Sequence, residues 1–147
     1  MSESKVEAFL TQEEEQEIVR AIREAEKNTS GEIRVHIEHH TDSDHYERAQ
    51  EVFHELEMDK TRDANGVLIY IAVLDRTFVI YGDKGINEVV PKTFWNDTKE
   101  VIQAHFKKGE FKQGIVAGIL KAGEELKVHF PFKSDDTNEL SNEVSKS

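Results

Sequence analysis

The sequence predicts one α/β domain in which helices pack against a mixed β-sheet. Residues 32–39 alternate apolar and polar side chains, and residues 67–74 form an unbroken apolar run, as two different kinds of strand do. Apolar side chains recur at helical spacing in residues 12–27, 44–57 and 111–129. A length of 147 residues suits a single core and is short for two domains.

The first helix has a clear beginning and end. Thr11 is followed three residues later by Glu14, the pattern of a capping box, and Gly31 supplies a stop after the last apolar position. In the strand at residues 32–39, every second side chain is polar. This alternation predicts that one face of the strand is buried and the other is exposed to water.

The middle of the chain predicts three connected elements and a hairpin. Residues 44–57 form a helix between two strands, and such a strand–helix–strand unit makes the strands parallel. Residues 67–74 are apolar throughout, so we expect this strand to be covered on both faces and to lie centrally. Residues 75–76 are short enough to turn the chain into a third, antiparallel strand at residues 77–81.

The C-terminal third predicts helices followed by a tail. A short helix near residues 86–90 and a longer one ending at Gly109 precede the helix at residues 111–129. Residues 133–147 hold too little apolar surface to offset the entropy of ordering them, so we expect a disordered acidic and polar tail. Residues 1–7 are expected to be a flexible N-terminus.

Composition excludes several classes of function. The chain has no cysteine, so thiolate metal sites, iron–sulfur clusters and cysteine nucleophiles are ruled out. Its net charge is -11, which repels phosphate backbones and argues against nucleic acid as a partner. No secretory signal and no apolar run long enough to cross a bilayer is present, so we expect a soluble, cytoplasmic protein without direct membrane insertion.

Five oxygen-bearing side chains converge in the predicted topology. The parallel strands begin at one edge of the sheet, and the antiparallel third strand ends at that edge. The side chains there are Glu32, Asp59, Asp63, Asn65 and Asp83. Clustered carboxylates repel one another unless a cation lies between them, and oxygen ligands favour calcium or magnesium.

An ordinary structural role for these residues stays open. Asp and Asn favour turns, so residues 63–66 are also typical of a loop that binds no ligand. Lys60, Arg62 and Lys84 lie close enough in sequence to neutralise the carboxylates. Four histidines near the first strand are a weaker candidate for a metal site, because exposed histidines are ordinary in loops. They are His36, His39, His40 and His45.

Four short segments occur in a fixed order along the chain. They are SGEIRV at residues 30–35, TRDANGVL at 61–68, YGDKG at 81–85 and GEFKQGI at 109–115. Together they resemble the TPM domain family over about residues 8–131, and we place the domain at residues 8–132. The resemblance implies a three-layer α/β/α sandwich with a central mixed sheet of about four strands flanked by helices.

The resemblance also implies a set of functions. Family members include a plant thylakoid acid phosphatase, proteins considered to bind calcium, and proteins considered to assist the repair of membrane complexes. The family's acidic pocket would fall on Glu32, Asp63, Asn65 and Asp83 in this sequence. The usual family layout adds a signal peptide before the domain and a transmembrane or low-complexity segment after it, and this sequence departs from that layout.

Three functional hypotheses follow. The first is a non-catalytic domain that binds a divalent cation, with calcium favoured over magnesium, through Asp63 and Asp83, with support from Glu32 and a carbonyl oxygen from Asn65. The second is a metal-dependent acid phosphatase acting on phosphomonoesters, for which the sequence offers no clear nucleophile. The third is an adaptor in the assembly or repair of a protein complex, which would have a protein partner and need no pocket.

Overall fold

The computed structural model describes residues 9–132 and 140–147, so the predicted flexible N-terminus at residues 1–7 lies outside the described residues. The helices are α1 (Gln12–Glu26), α2 (His45–Glu55), α3 (Lys84–Asn87), α4 (Asn96–Lys107) and α5 (Phe111–His129). The strands are β1 (Glu32–Glu38), β2 (Gly66–Ala72), β3 (Thr77–Gly82) and β4 (Ser145–Lys146). A 3-10 turn, Met58–Lys60, lies between α2 and β2.

The sheet is mixed, and its strand order is β3-β2-β1-β4. β1 runs parallel to β2, with Glu32 opposite Gly66, as the strand–helix–strand pattern predicts. β3 runs antiparallel to β2, with Val67 opposite Gly82. The predicted α/β fold, with a mixed sheet of about four strands between layers of helices, is confirmed.

The two faces of the sheet carry separate apolar clusters. The larger cluster contains the odd-numbered residues of β1 and β2, such as Ile33 and Ile69, and packs against α1, α4 and α5. The smaller one joins Leu68 and Tyr70 to α2 through Phe53. Every residue of β2 is buried, which is the predicted burial of a central strand.

The polar face of β1 differs from its predicted exposure. The side chains of Glu32, His36 and Glu38 are buried, and of the strand's seven residues only Arg34 is partly exposed. Alternation reveals which side chains are polar but not what covers them. Here α2 and the segment at residues 140–147 cover that face.

The end of the chain pairs with the sheet. Residues 133–139 lie outside the described residues, but residues 140–147 differ from the predicted disordered tail. Ser145 and Lys146 pair in parallel with His36 and Ile37, and the amide of Ser147 donates to the Ile37 carbonyl at 3.0 Å.

In the part of the chain that the structure describes, no helix is both long and apolar enough to cross a membrane.

Candidate functional site

The starts of β1 and β2 and the end of β3 meet at one edge of the sheet, called here the acidic edge. The amide of Glu32 donates to the Asn65 carbonyl at 3.3 Å, and the amide of Asp83 donates to the Gly66 carbonyl at 2.9 Å. Strand register places Glu32 and Asp83 on either side of Gly66. The structure therefore brings Glu32, Asn65 and Asp83 together, as strand direction predicts.

Asp83 has one engaged and one unengaged carboxylate oxygen. It is the N-cap of α3, where Oδ1 accepts from the Lys84 amide at 2.7 Å. Oδ2 is buried and has no hydrogen-bond partner among the described residues. Asp83 as a whole is 8% exposed, so water reaches little of it. A buried carboxylate oxygen without a donor is costly.

The loop before β2 turns two backbone carbonyls toward the start of α3. Ala64 adopts a positive φ of 50°, and its carbonyl accepts from the Gly85 amide at 2.9 Å. A Cβ placed on Gly85 would lie 2.4 Å from the Ala64 carbonyl oxygen and 2.5 Å from that of Asp63. Glycine is therefore required at residue 85 for this close approach, two residues from the Asp83 carboxylate.

Asn65 is held inside this loop by its neighbours. Its amide donates to Thr61 Oγ1 at 3.3 Å, and its side-chain Nδ2 donates to Ser30 Oγ at 3.2 Å. The residue is 2% exposed. These bonds fix the loop against the turn that precedes β1, so the carbonyls of Asp63 and Ala64 are held in place as well.

The two remaining predicted residues lie nearer to solvent. The Asp63 carboxylate is 32% exposed, and its Oδ1 lies 3.7 Å from Arg62 Nε. The Asp59 carboxylate is 40% exposed and lies 3.4 Å from His54 Nδ1 on α2. Asp63 is therefore at the rim of the acidic edge, whereas the Asp59 side chain is directed to α2.

Glu26 adds a carboxylate that the sequence reading missed. Its Oε2 accepts from the Ile33 amide at 2.9 Å. Burial raises the pKa of Glu26 to about 7, the Ile33 hydrogen bond opposes this rise, and the nearby charge of Glu32 adds to it. The available signal was position, because Glu26 follows Ile18 and Ile22 on the apolar stripe of α1.

Replacement of Glu26 by glutamine should stabilise the protein at neutral and higher pH. The folded state raises the pKa of Glu26 from 4.5 to about 7, so ionisation costs stability as pH rises through that interval. We expect Glu26→Gln to be more stable than wild type by about 2 kcal/mol at pH 8 and equal to it near pH 4. Urea denaturation at both pH values measures this. The exposed neighbour Glu24, changed to Gln, should show no such pH-dependent gain, and an equal gain in both variants would contradict the assignment.

A second buried polar cluster surrounds Glu38. Arg48 donates to Glu38 from Nη2 at 2.7 Å and from Nε at 3.0 Å, and the Tyr70 hydroxyl and Ser147 Oγ donate as well. Burial opposes ionisation of Glu38, but these bonds outweigh it and hold the pKa at about 2. Glu38 is therefore a fully paired carboxylate whose role is structural.

His36 is enclosed by the end of the chain. Its Nδ1 lies 2.9 Å from Ser145 Oγ and its Nε2 lies 2.8 Å from Ser147 Oγ. Ser147 gives its single hydroxyl proton to Glu38, so His36 donates from Nε2. Burial lowers the pKa of His36 to about 4. With both ring nitrogens bonded to serines, this histidine is unsuited to bind a metal.

Two other histidines contact Asp75 at the opposite end of the strands, in the β2–β3 turn. Asp75 Oδ1 lies 2.5 Å from His40 Nδ1, and Oδ2 lies 2.9 Å from His45 Nε2. Hydrogen bonds from His40 and His45 hold the pKa of Asp75 well below its usual range. Across residues 9–132 and 140–147, no group of three or more His, Asp and Glu side chains is arranged to hold a metal ion. A cation at the acidic edge would therefore need backbone carbonyl ligands as well.

Comparison with known proteins finds a matching family model and a similar solved structure. A family model described as the TPM domain matches residues 4–125. The NMR structure of BA42 protein from the psychrophilic bacterium Bizionia argentinensis is 61% identical, with a TM-score of 0.92, covering 99% of this chain and 100% of its own. Among curated proteins, none matches the chain.

Two more distant solved structures share the fold. The N-terminal domain of a protein from P. gingivalis is 16% identical with a TM-score of 0.68, covering 83% of this chain and 79% of its own. The N-terminal domain of cg2496 protein from Corynebacterium glutamicum is 10% identical with a TM-score of 0.62, covering 94% and 81%. At these identities the likeness extends to the fold alone.

Proposed function

The chain belongs to the TPM domain family, and we propose that it binds a divalent cation, calcium in preference to magnesium, at the acidic edge of its sheet. Asp83 and Asp63 are the proposed carboxylate ligands, Glu32 supports them, and Asn65 contributes a carbonyl oxygen. Asp59, the fifth residue predicted from the sequence, is directed to α2 and is not a proposed ligand. The observation that carries the proposal is the buried Oδ2 of Asp83, which has no hydrogen-bond donor among the described residues.

The chemistry of Asp83 favours a cation over a structural role alone. Capping of α3 uses Oδ1 only, and a buried carboxylate oxygen left without a partner costs about 1–3 kcal/mol or more. A bound cation removes that cost, because it replaces the missing donor with a full positive charge. An asparagine at this position would cap α3 equally well, so the second oxygen calls for a separate explanation.

The surrounding oxygens favour calcium. The carbonyls of Asp63 and Ala64 approach Gly85, and the Asp63 carboxylate lies at the rim. Calcium accepts six to eight oxygen ligands in flexible geometry and commonly combines carboxylates with backbone carbonyls, whereas magnesium demands a near-ideal octahedron. A mixture of carbonyl and carboxylate oxygens on a loop suits the larger ion.

The charge of this edge also favours a cation. The ionised form of Glu26 is disfavoured by burial and then by the neighbouring charge of Glu32. Glu32 Oε1 accepts from the Leu140 amide at 2.8 Å, so this carboxylate is held in place and is suited to support the site. Positive charge placed among Glu32, Asp63 and Asp83 relieves their mutual repulsion.

The test is a titration of metal-free protein with calcium and then magnesium, followed through the backbone amides by NMR. Wild type should show saturable shifts confined to residue 32, residues 58–66 and residues 82–85. Asp83→Asn keeps the helix cap but should weaken calcium binding by about tenfold or more. Asp97→Asn removes the same charge from an exposed position in α4 and should leave the affinity unchanged.

Two outcomes would contradict the proposal. Diffuse shifts without saturation would mean that calcium only screens the surface of an acidic chain. Equal weakening by Asp83→Asn and Asp97→Asn would mean that binding depends on net charge rather than on this carboxylate. If Asp83→Asn loses the wild-type amide spectrum, Asp63→Asn takes its place in the test, because the Asp63 side chain lies at the rim.

The competing hypotheses depend on the same result in different ways. A metal-dependent acid phosphatase needs the cation, and hydrolysis of a phosphomonoester such as p-nitrophenyl phosphate should then vanish with a chelator and in Asp83→Asn. An adaptor needs no cation, and its partner binding should survive Asp83→Asn. Cation binding without hydrolysis is the combination that we expect.

A further inference from the structure

A cleft lies at the end of the sheet remote from the acidic edge, between the β2–β3 hairpin and the end of α4. We call it the hairpin cleft, and its volume is about 580 Å³. The residues lining it are Phe9, Ile71, Ala72, Val73, Arg76, Thr77, Phe78, Gln103, Phe106, Lys107, Gly109 and Phe111. That volume falls within the range of small-molecule sites, about 300–1,000 Å³.

Four phenylalanines form a continuous apolar wall in the hairpin cleft. The ring centroids of Phe9 and Phe111 are 4.9 Å apart, those of Phe111 and Phe106 are 5.4 Å apart, and those of Phe106 and Phe78 are 5.6 Å apart. Phe111 remains 38% exposed. A row of rings that faces an open cleft offers a surface for an apolar chain or ring.

The charged residues that line the cleft are both positive. Arg76 and Lys107 line it, and no acidic side chain does among the residues that the structure describes. Neither cation forms an ion pair with a described residue, and the Asp75 carboxylate beside Arg76 is engaged by His40 and His45. The charge of this cleft is therefore opposite in sign to the net charge of the chain, which is -11.

The backbone at the hairpin turn and at the end of α4 shapes the cleft. Arg76 occupies the hairpin turn with a positive φ of 51°, a conformation that glycine or asparagine adopts at lower cost. Gly109 ends α4 with a φ of 75°, and a Cβ there would meet no atom within 4 Å. The turn thus carries a long cationic side chain at an energetic cost, and the end of α4 leaves the cleft open.

We propose that the hairpin cleft binds a single-headed anionic amphiphile, of which a medium-chain carboxylate is the simplest member. The apolar chain packs on the phenylalanine wall, and the head group pairs with Arg76 and Lys107. The two cations favour an anionic head group, and the phenylalanine wall favours an apolar tail. This site is independent of the proposed cation site, from which it is separated by the length of β2, about 20 Å.

The test titrates the full-length protein with decanoate below its micelle-forming concentration and follows the backbone amides by NMR. Decanoate should give saturable shifts in residues 71–78 and 103–111. The double variant Arg76→Gln, Lys107→Gln should bind it about tenfold more weakly. Lys92→Gln, Lys99→Gln removes two exposed charges from elsewhere and should leave the affinity unchanged. Decanol should bind wild type and the cleft variant equally.

Three results would overturn the proposal. Decylammonium binding as tightly as decanoate would show that the head group makes no use of the two cations. Equal affinities in the cleft variant and the Lys92, Lys99 variant would show an effect of net charge alone. Contacts from residues 1–8 to the rings of Phe78 and Phe106, with no response to decanoate, would show that the chain's own N-terminus is the occupant.

Discussion

Replacement of Arg48 by methionine is expected to lower the free energy of unfolding by about 4 kcal/mol at pH 7. Arg48 donates to both oxygens of Glu38, whose side chain is 10% exposed. Methionine preserves much of the apolar stem but leaves this carboxylate buried beside Tyr70 without its charged partner. An unpaired buried charge is far more costly than a missing pair, so the effect should exceed that of losing the hydrogen bonds.

Urea denaturation measures the effect, and a double variant isolates its cause. Arg48→Met combined with Glu38→Gln should regain most of the lost stability, because the uncompensated charge is gone. Glu51→Gln removes an exposed partner of Arg48 and should cost less than about 1 kcal/mol. The folded state lowers the pKa of Glu38 from 4.5 to about 2, so the pair's contribution is complete above pH 4.5 and is lost as pH falls toward 2. A double variant no more stable than Arg48→Met would contradict this account.

Replacement of Gly85 by alanine is expected to lower the free energy of unfolding by about 3 kcal/mol and to abolish cation binding. The new Cβ would lie 2.4 Å from the Ala64 carbonyl oxygen and 2.5 Å from that of Asp63, distances that no real contact reaches. Both obstacles are backbone atoms, so the loop at residues 58–66 must move away from α3 rather than adjust a side chain. That movement would withdraw the two carbonyls from the start of α3.

Gly82 supplies the matched control for this change. The three atoms nearest to a Cβ on Gly82 would all belong to the Ile86 side chain, at an ordinary 3.6 Å. Gly82→Ala should therefore unfold near the wild-type midpoint and retain its calcium-induced amide shifts. Thermal unfolding compares the two variants directly. A Gly85→Ala protein as stable as Gly82→Ala would show that the loop does not pack against α3 as described.

Local pattern predicts most of the fold because most of it is locally determined. The capping box of Thr11 and Glu14 is present, and α1 begins where that pattern indicates. The apolar run after Gly66 becomes the buried strand β2 because a strand with two covered faces needs apolar side chains on both. Periodicity and caps act over a few residues, and a sequence displays them directly.

Burial of the polar face of β1 could not be predicted in this way. Alternation shows that His36 and Glu38 are polar, but their covering partners come from α2 and from Ser145 and Ser147, more than 100 residues later. β4 has two residues, too few to show any period. Long-range partners of this kind are set by tertiary packing, which overrides local preference.

The candidate site was predictable in location and less so in detail. Strand direction alone brings Glu32, Asn65 and Asp83 to one edge, because parallel neighbours begin together. Sequence did not reveal that Asp59 faces α2, nor that Glu26 belongs near Glu32, because both depend on where side chains point. The roles of the acidic-edge residues in cation binding stay predictions for the calcium titration.

The pairing of β4 with β1 has a consequence for the order of folding. β1, α2, β2 and β3 are contiguous in sequence and can assemble through short loops, whereas His36 and Ser145 are 109 residues apart. Closing so long a loop costs chain entropy and is slow, so β4 should dock last. Until it docks, the outer backbone of β1 presents unpaired donors and acceptors to other molecules. A newly made chain is therefore most prone to edge-to-edge association after β1, α2, β2 and β3 have assembled and before β4 has docked.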